Sequence, residues 1–452
     1  MRPDSLLHVM LITGAFACAV AATVQPQQRA AARNSDATPS LLIVGAKVLD
    51  PEGERWLDDR AVLVVDGHIK RIAPMGEIDS QAAGAAKRID AAGQYLVPGL
   101  MDLHTHLLLH PYNEKVWDDQ VLKESLESRT IRGVNAAKAT LEAGFTTIRD
   151  LGTEGAGVAD VALRDAINSG MIAGPRVLAV TRAIVATGCY GPSGFDPRVQ
   201  QDLLQGAQEV TGIDEMRKAV REQIALGADW IKVYADYRRA PGSPATPTFT
   251  EEELRAAVDE ARSAGRKVSA HATTDEGIRR AVHAGVATIE HGYGASRETM
   301  QLMKERGVAL CPTMAAAEAV ALYAGWRPEA NGGADPRSKT PASVEQSRAS
   351  LALAREVGVT IANGSDAGVF AHGENAWELE LLVKAGMPPP QALAAATRVA
   401  AKTIGRDEDL GRVQEGFVAD LVLLRADPLA DISAALRRVA VVIKGGAIAC
   451  EK

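Results

Sequence analysis

Eight short apolar segments alternate with helical patterns between Leu100 and Gly405, and this alternation constrains the fold more than any other feature of the chain. The segments read LMDLHTH, TTIRDLG, RVLAVT, WIKVYAD, KVSAHAT, TIEHG, VALCPTM and VTIANGSD. Between them apolar residues recur at helical spacing, as at Ile213, Met216, Val220 and Ile224. Another helix opens at Thr250 with Glu253 three residues on, a capping box, and should bury Leu254, Ala257, Val258 and Ala261. Parallel strands need crossover helices, and eight such units in series point to a parallel (β/α)8 barrel. An open doubly wound sheet competes, but no GxGxxG turn follows the first strand.

The flanks differ from this middle. LLIVGAKVLD, AVLVVDGHIKRIA and QYLVPG precede it, and GRVQEGFVADLVLL and RVAVVIKGGAIA follow it, all strand-like and separated by turn residues. Strands at both ends predict a small β unit assembled from the two termini, residues 40–96 with 408–452, beside a barrel of 97–407. Ahead of these lies an apolar run, Leu6–Ala22, preceded by Arg2 and containing Ala19-Val20-Ala21. It is short for a membrane span of about 20 residues and suits a signal peptide over 1–22, cleaved near Ala21, with a linker over 23–39. The protein is thus expected to be exported, periplasmic or secreted, with no stable membrane partner after cleavage. An uncleaved anchor or a buried helix is the alternative. Cys18 is a poor lipid acceptor behind Ala15-Phe16-Ala17. The other cysteines, Cys189, Cys311 and Cys450, are odd in number and scattered, which gives no disulfide framework. Lys+Arg 50 against Asp+Glu 57, a net charge of -7, excludes a broad basic surface for nucleic acid.

The chemistry-bearing residues gather at strand ends. His104 and His106 are two apart on the first strand, so both point into the barrel, at the face where barrel active sites lie. Two converging imidazoles suit a metal, although a buried structural pair would look the same. His271 ends the fifth strand and His291 the sixth; singly, each could be a hydrogen-bonded core histidine. Asp366 ends the eighth in Asn363-Gly364-Ser365-Asp366, where an ordinary turn aspartate is the plain alternative. Lys232 sits between Ile231 and Val233 in an apolar strand, and a buried lysine loses its charge easily. The neutral amine can add carbon dioxide, and the carbamate could bridge two metals. Six candidate ligands from five strands at one face argue jointly for a metal centre.

VPGLMDLHTH, IKVYAD, SAHAT, IEHG and NGSDAG, with the tail NAWELELLVKAGMPPPQALAAATRVAAKTIG, resemble the amidohydrolase superfamily in its binuclear, carboxylated-lysine form. The resemblance runs from about residue 41 to the end and is nearest the branch of imidazolonepropionase-like and prolidase-like hydrolases. It implies a barrel flanked by a composite β-sandwich, and homo-oligomers are common among such proteins. It also implies two divalent metals, zinc suiting the donors best, with Lys232 as N6-carboxylysine. His104, His106 and Asp366 would hold one ion, His271 and His291 the other, and Lys232 would bridge them. Asp366 would carry the proton, with Lys232 and His291 completing the catalytic set. Where many members of the branch carry Gly-Gly-His-Gly, this chain reads Thr187-Gly188-Cys189-Tyr190-Gly191, so Tyr190 is the candidate replacement for a substrate-touching histidine. The long loop from Thr187 to Gly212 is expected to roof the site.

The expected activity is hydrolysis of an amide by a metal-bridging hydroxide, on a dipeptide or N-acyl amino acid. The branch also hydrolyses the phenylalanine amide of ochratoxin. Tyr234, two residues after Lys232, and Arg238 or Arg239 beyond it are candidates to grip the substrate carboxylate. They could equally pack on the barrel wall or face solvent. A cyclic-amide hydrolase of the imidazolonepropionase type is the alternative, disfavoured by export. A catalytically dead binding scaffold is a third reading, and it predicts lost ligands.

Overall fold

The computed structural model describes residues 40–78, 84, 86–200, 203–240, 242–329 and 335–452. The signal-peptide and linker readings of 1–22 and 23–39, Cys18 included, lie outside the described residues. Seven barrel strands follow in chain order: Leu100–Thr105, Phe145–Asp150, Arg176–Ala179, Trp230–Tyr234, Lys267–Ala272, Thr288–His291 and Ala309–Cys311. The first three pair in parallel, as do the last four. Asp229 N donates to Ala179 O at 2.7 Å across the gap between third and fourth, where the short strand Ile184–Ala186 also inserts beside Val233.

The eighth segment is not the regular strand the sequence suggests. It joins its neighbours through isolated parallel bridges, Leu310 to Ile361 and Thr105 to Ala367. Leu103 N donates to Asn363 O at 2.9 Å and Ala362 N to Leu310 O at 2.9 Å, so the ring closes by backbone hydrogen bonds. The reason is crowding. A Cβ on Gly364 would lie 2.9 Å from His104 Cβ and 3.0 Å from Cys311 Cβ, so the chain threads between the first and seventh strands only as glycine.

Alternation along each strand decides what faces the centre. Ile231, Val233, Val268, Ala270 and Ile289 point outward into one apolar cluster with Val220, Leu254, Ala257 and Ile278 of the surrounding helices. Each buried aliphatic side chain of this kind stabilises the fold by about 1.5–3 kcal/mol as an upper estimate. The helix Glu251–Ser263 opens on Thr250 with both arms of the capping box formed. The helix Gly212–Ala225 buries Met216, Ala219 and Val220, whereas Ile213 in its first turn is 42% exposed, contrary to the expected stripe.

Strands from both ends of the chain form one eight-stranded sheet, in which Leu421–Leu424 pairs antiparallel with Tyr95–Pro98. Leu421 and Leu423 pack with Val62, Val64 and Ile443, while Val422 and Leu424 turn the other way, into the cluster that holds Phe145 and Leu141 of the barrel. The strand Leu41–Leu49 is shared: Leu41–Val44 pairs with Lys87–Asp90, and Lys47 and Val48 with Tyr95 and Leu96. The sheet thus folds over one core and presents its other face to the barrel. Cys189, Cys311 and Cys450 are all free. No helix among the described residues is long and apolar enough to cross a membrane.

Candidate metal centre

Met101 and Leu103 face outward against Ala400 and Ala401, which leaves Asp102, His104 and His106 on the inner face of the first strand. In the same way Lys232 and Tyr234 alternate with the outward Ile231 and Val233, and His271 with Ala270 and Ala272. His291 follows the inward Glu290 and would point outward in a regular strand. Its φ of +71° reverses the alternation and brings the ring to the site. Asp366 likewise has a φ of +65°. Left-handed backbone at a non-glycine residue costs about 1–3 kcal/mol and persists only where the surroundings enforce it.

His104, His106 and Asp366 each offer a ligand atom, and all three atoms lie within 4.8 Å of one another. Asp366 Oδ1 is 3.3 Å from His106 Nε2 and 3.6 Å from His104 Nε2. The other imidazoles complete the arc, with ring centroids 5.2 Å apart for His104 and His291 and 4.6 Å for His271 and His291. The far nitrogens are fixed by acceptors. His104 Nδ1 meets Glu290 Oε2 at 2.9 Å and His106 Nδ1 meets Gly152 O at 2.9 Å. A carboxylate and a carbonyl only accept, so both Nδ1 atoms carry a proton, which leaves the two Nε2 atoms, both facing the site, as the positions for a ligand bond. His291 Nδ1 contacts the Thr313 hydroxyl at 2.7 Å, and that hydroxyl itself donates to Pro312 O. His271 stacks on Tyr234, centroids 4.5 Å apart, with Nε2 3.8 Å from Asp236 Oδ1.

Electrostatics favour ligation. Burial, then the charge of Lys232, holds His104 well below the usual imidazole range. Burial, with His291 and Lys232, does the same for His271, and burial takes His291 to about 4. His106 is the exception: burial opposes its charge, but the hydrogen bond and charge of Asp366 lift it to about 9. Burial also opposes the charge of Asp366, yet His104 and His106 hold its carboxyl well below the carboxylate range. A proton shared by His106 and Asp366 thus stands where a cation would. Lys232 is 1% exposed, and burial draws it down to about 8 against the pull of Glu290. Its Nζ lies 5.6 Å from the centre of the Tyr234 ring.

Five of the six predicted ligands line one cavity of about 300 Å³, with Lys232 buried beside them. Tyr234 and Tyr190 line it too, together with Tyr112, Tyr237 and Tyr293, so five of the chain's 7 tyrosines gather here. Tyr190 comes from the loop expected to roof the site, and Gly206 of that loop allows its approach, since a Cβ there would meet the Trp117 ring at 2.4 Å. The Tyr190 hydroxyl donates to Glu154 Oε2 at 2.5 Å, so its proton is spent on a carboxylate rather than offered to a substrate carbonyl. Arg238 and Arg239 do not line the cavity. The hairpin turns Arg238 over the outer Tyr237 ring, 5.4 Å to its centre, and Arg239 donates to Pro247 O at 2.9 Å.

The sequence reading passed over the supports. Glu290 Oε1 accepts from Arg149 Nη2 at 2.8 Å and from the Thr288 hydroxyl at 2.5 Å. Arg149 also donates to Leu103 O at 2.7 Å and lies over the Trp230 ring. Asp102 takes Ser365 N at 2.9 Å, the Ser365 hydroxyl at 2.5 Å and Asn375 Nδ2 at 2.8 Å, tying the first strand to the turn that aims Asp366. The signal for Arg149 and Glu290 was present: each is a charge inside an apolar strand, the same anomaly that singled out Lys232. Glu154, buried on a loop after the second strand, had no comparable local signal.

The amidohydrolase family matches residues 95–449 of the chain. An ochratoxinase from Aspergillus niger is 31% identical over 412 residues, which covers 86% of this chain and 82% of that protein. Among solved structures, a Xaa-Pro dipeptidase with methionine bound in its active site is 32% identical with a TM-score of 0.77, covering 91% of this chain and 100% of that one. A prolidase solved with N-methylphosphonate-L-proline is 30% identical, with a TM-score of 0.77 and the same coverage.

Proposed function

The chain belongs to the amidohydrolase family, and from that membership we propose that it hydrolyses the amide bond of a dipeptide or N-acyl amino acid at a centre of two divalent cations. The observation that carries this reading is the convergence of His104, His106 and Asp366 within 4.8 Å, with both Nε2 atoms aimed at Asp366 Oδ1. The donors fit such a group. His104, His106 and Asp366 would hold one cation, His271 and His291 the second, and Lys232 as a carbamate would join them. Imidazole, carboxylate and carbamate suit zinc. Lys232 supports the carbamate, because a buried amine drawn to about 8 keeps a far larger neutral fraction near physiological pH than an ordinary lysine does.

Bound cations would acidify a water and polarise the scissile carbonyl. Asp366, poised as a carboxylate at the cavity floor, accepts the proton of the attacking water and delivers it to the leaving nitrogen. The tyrosine-lined wall excludes water and offers flat apolar faces for the substrate's side chains, which favours aromatic groups. The apolar run over residues 6–22 supports action outside the cytoplasm. Metal analysis of the purified protein, with a screen of dipeptides, N-acyl amino acids and cyclic amides, tests the reading. Asp366→Asn should retain much of the metal and lose orders of magnitude in kcat. A mild loss would place the base elsewhere, and hydrolysis of cyclic amides alone would replace the substrate class.

A further inference from the structure

Among the described residues lining the cavity Glu154 is the one carboxylate besides Asp366, and half of it has no assigned work. Its side chain is 2% exposed. Oε2 accepts from Trp117 Nε1 at 2.9 Å and from the Tyr190 hydroxyl at 2.5 Å. Oε1 is buried and takes no hydrogen bond from any described residue. It lies 3.8 Å from His106 Nδ1, beyond bonding reach, and that nitrogen already serves Gly152 O at 2.9 Å. A buried carboxylate oxygen without a donor is costly, and such orphans demand a reason.

The carboxylate is held in place deliberately. Glu154 has a φ of +51°, and the buried Arg129 clamps this loop by donating to Glu154 O at 2.6 Å and Thr153 O at 3.1 Å. Arg129 therefore spends these hydrogen bonds on the backbone of the loop and not on the Glu154 side chain. No lysine or arginine is among the described residues lining the cavity. What surrounds Glu154 instead is aromatic: Tyr190 stands 5.0 Å from Trp117 and 4.8 Å from Tyr234, centroid to centroid. A fixed anion in a box of electron-rich rings is a receptor for an organic cation.

We propose that Glu154 is a specificity residue that accepts the free ammonium group of an unblocked dipeptide, with Oε1 as the acceptor. The proposal rests on the amide-hydrolase reading above and narrows it, because N-acyl amino acids carry no such ammonium and would leave the carboxylate unpaired. The substrate's own N–H donors then complete the hydrogen bonding that the protein leaves open.

The test uses the metal-loaded enzyme and a matched pair, a dipeptide with an aromatic second residue and its N-acetylated form, with kcat/KM and metal content measured for each variant. The wild type should favour the free amine. Glu154→Gln can still accept from Trp117 and Tyr190, and should lower kcat/KM for the free amine by about tenfold to a hundredfold, drawing the ratio of the two substrates toward one. Tyr190→Phe leaves the charge in place and should keep the ratio above one. Equal losses on both substrates, or metal lost with activity, would make Glu154 a positioning residue for His106 and overturn the proposal. A wild type that shows no preference overturns it as well while leaving amide hydrolysis intact. Failure to hydrolyse either substrate would instead remove the amide reading, and this inference with it.

Discussion

Glu290→Gln separates two effects that the wild type combines in one buried carboxylate. Glu290 serves His104 with Oε2 and Arg149 and Thr288 with Oε1, and both it and Arg149 have 0% side-chain exposure. A glutamine keeps one acceptor oxygen. Turned toward Arg149, it sets its NH2 against the Nδ1–H of His104, donor against donor. The cheapest relief is for His104 to move its proton to Nε2, which ceases to be a ligand. Metal affinity should fall about 10–100-fold, the usual consequence of losing a partner that orients a ligand. Arg149 is meanwhile left buried without its counter-charge, and unpairing such an ion pair costs about 3–5 kcal/mol. The retained hydrogen bond puts the expectation near the lower end, about 3 kcal/mol.

The assay is metal content after equilibrium dialysis, alongside chemical unfolding of the metal-free protein. Adding Arg149→Met should restore part of the stability, because the stranded charge is gone, and should leave metal affinity low, because the tautomer of His104 stays wrong. A Glu290→Gln protein with wild-type metal affinity, and stability within about 0.5 kcal/mol, would refute the assignment of both roles.

Three further outcomes follow from the same geometry. Lys232→Ala should lose metal and activity together, and reloading of the wild type should be aided by bicarbonate and quicken as pH rises through about 8, where the amine becomes neutral; an active, fully loaded Ala variant would dismiss the bridging role. In metal-free protein His106 is raised from 6.5 to about 9, so its stabilisation is complete below about 6.5 and is lost as pH climbs through about 9. Lys232 acts oppositely above about 8, and the buried Glu378, raised to about 8, falls together with His106, so the fall in melting temperature should be read between pH 6.5 and 8 and metal loading should reduce it. Arg238→Ala and Arg239→Ala should each change kcat/KM by no more than about twofold, as exposed groups outside the cavity do; a tenfold rise in KM for carboxylate-bearing substrates would bring them back into the site.

The barrel was legible because its signal is local and repeated. Alternation in LMDLHTH, WIKVYAD and KVSAHAT already states which side chains face inward, and His104, His106, Lys232 and His271 follow from counting by two. His291 and Asp366 could be placed at strand ends but not aimed, since their left-handed backbone is imposed by neighbours and not by their own residue type. The eighth segment shows the same division: its apolar run reads as a strand, yet Gly364, squeezed between His104 and Cys311, reduces it to isolated bridges. Arg149 and Glu290 were visible as charges in apolar strands, but their pairing across 141 positions is a tertiary fact. Arg238 and Arg239 show the converse limit, because proximity in sequence to Tyr234 says nothing of the hairpin that carries them, and neither lines the cavity. Sequence by itself determined the periodicity, and with it the barrel and the inward-facing candidate ligands. Tertiary structure alone decided which nitrogens of His104 and His106 face the site, how far burial weakens the charge of Lys232, and that Glu154 stands half-satisfied beside His106. Those properties depend on burial and on partners distant in the chain, and no local pattern encodes them.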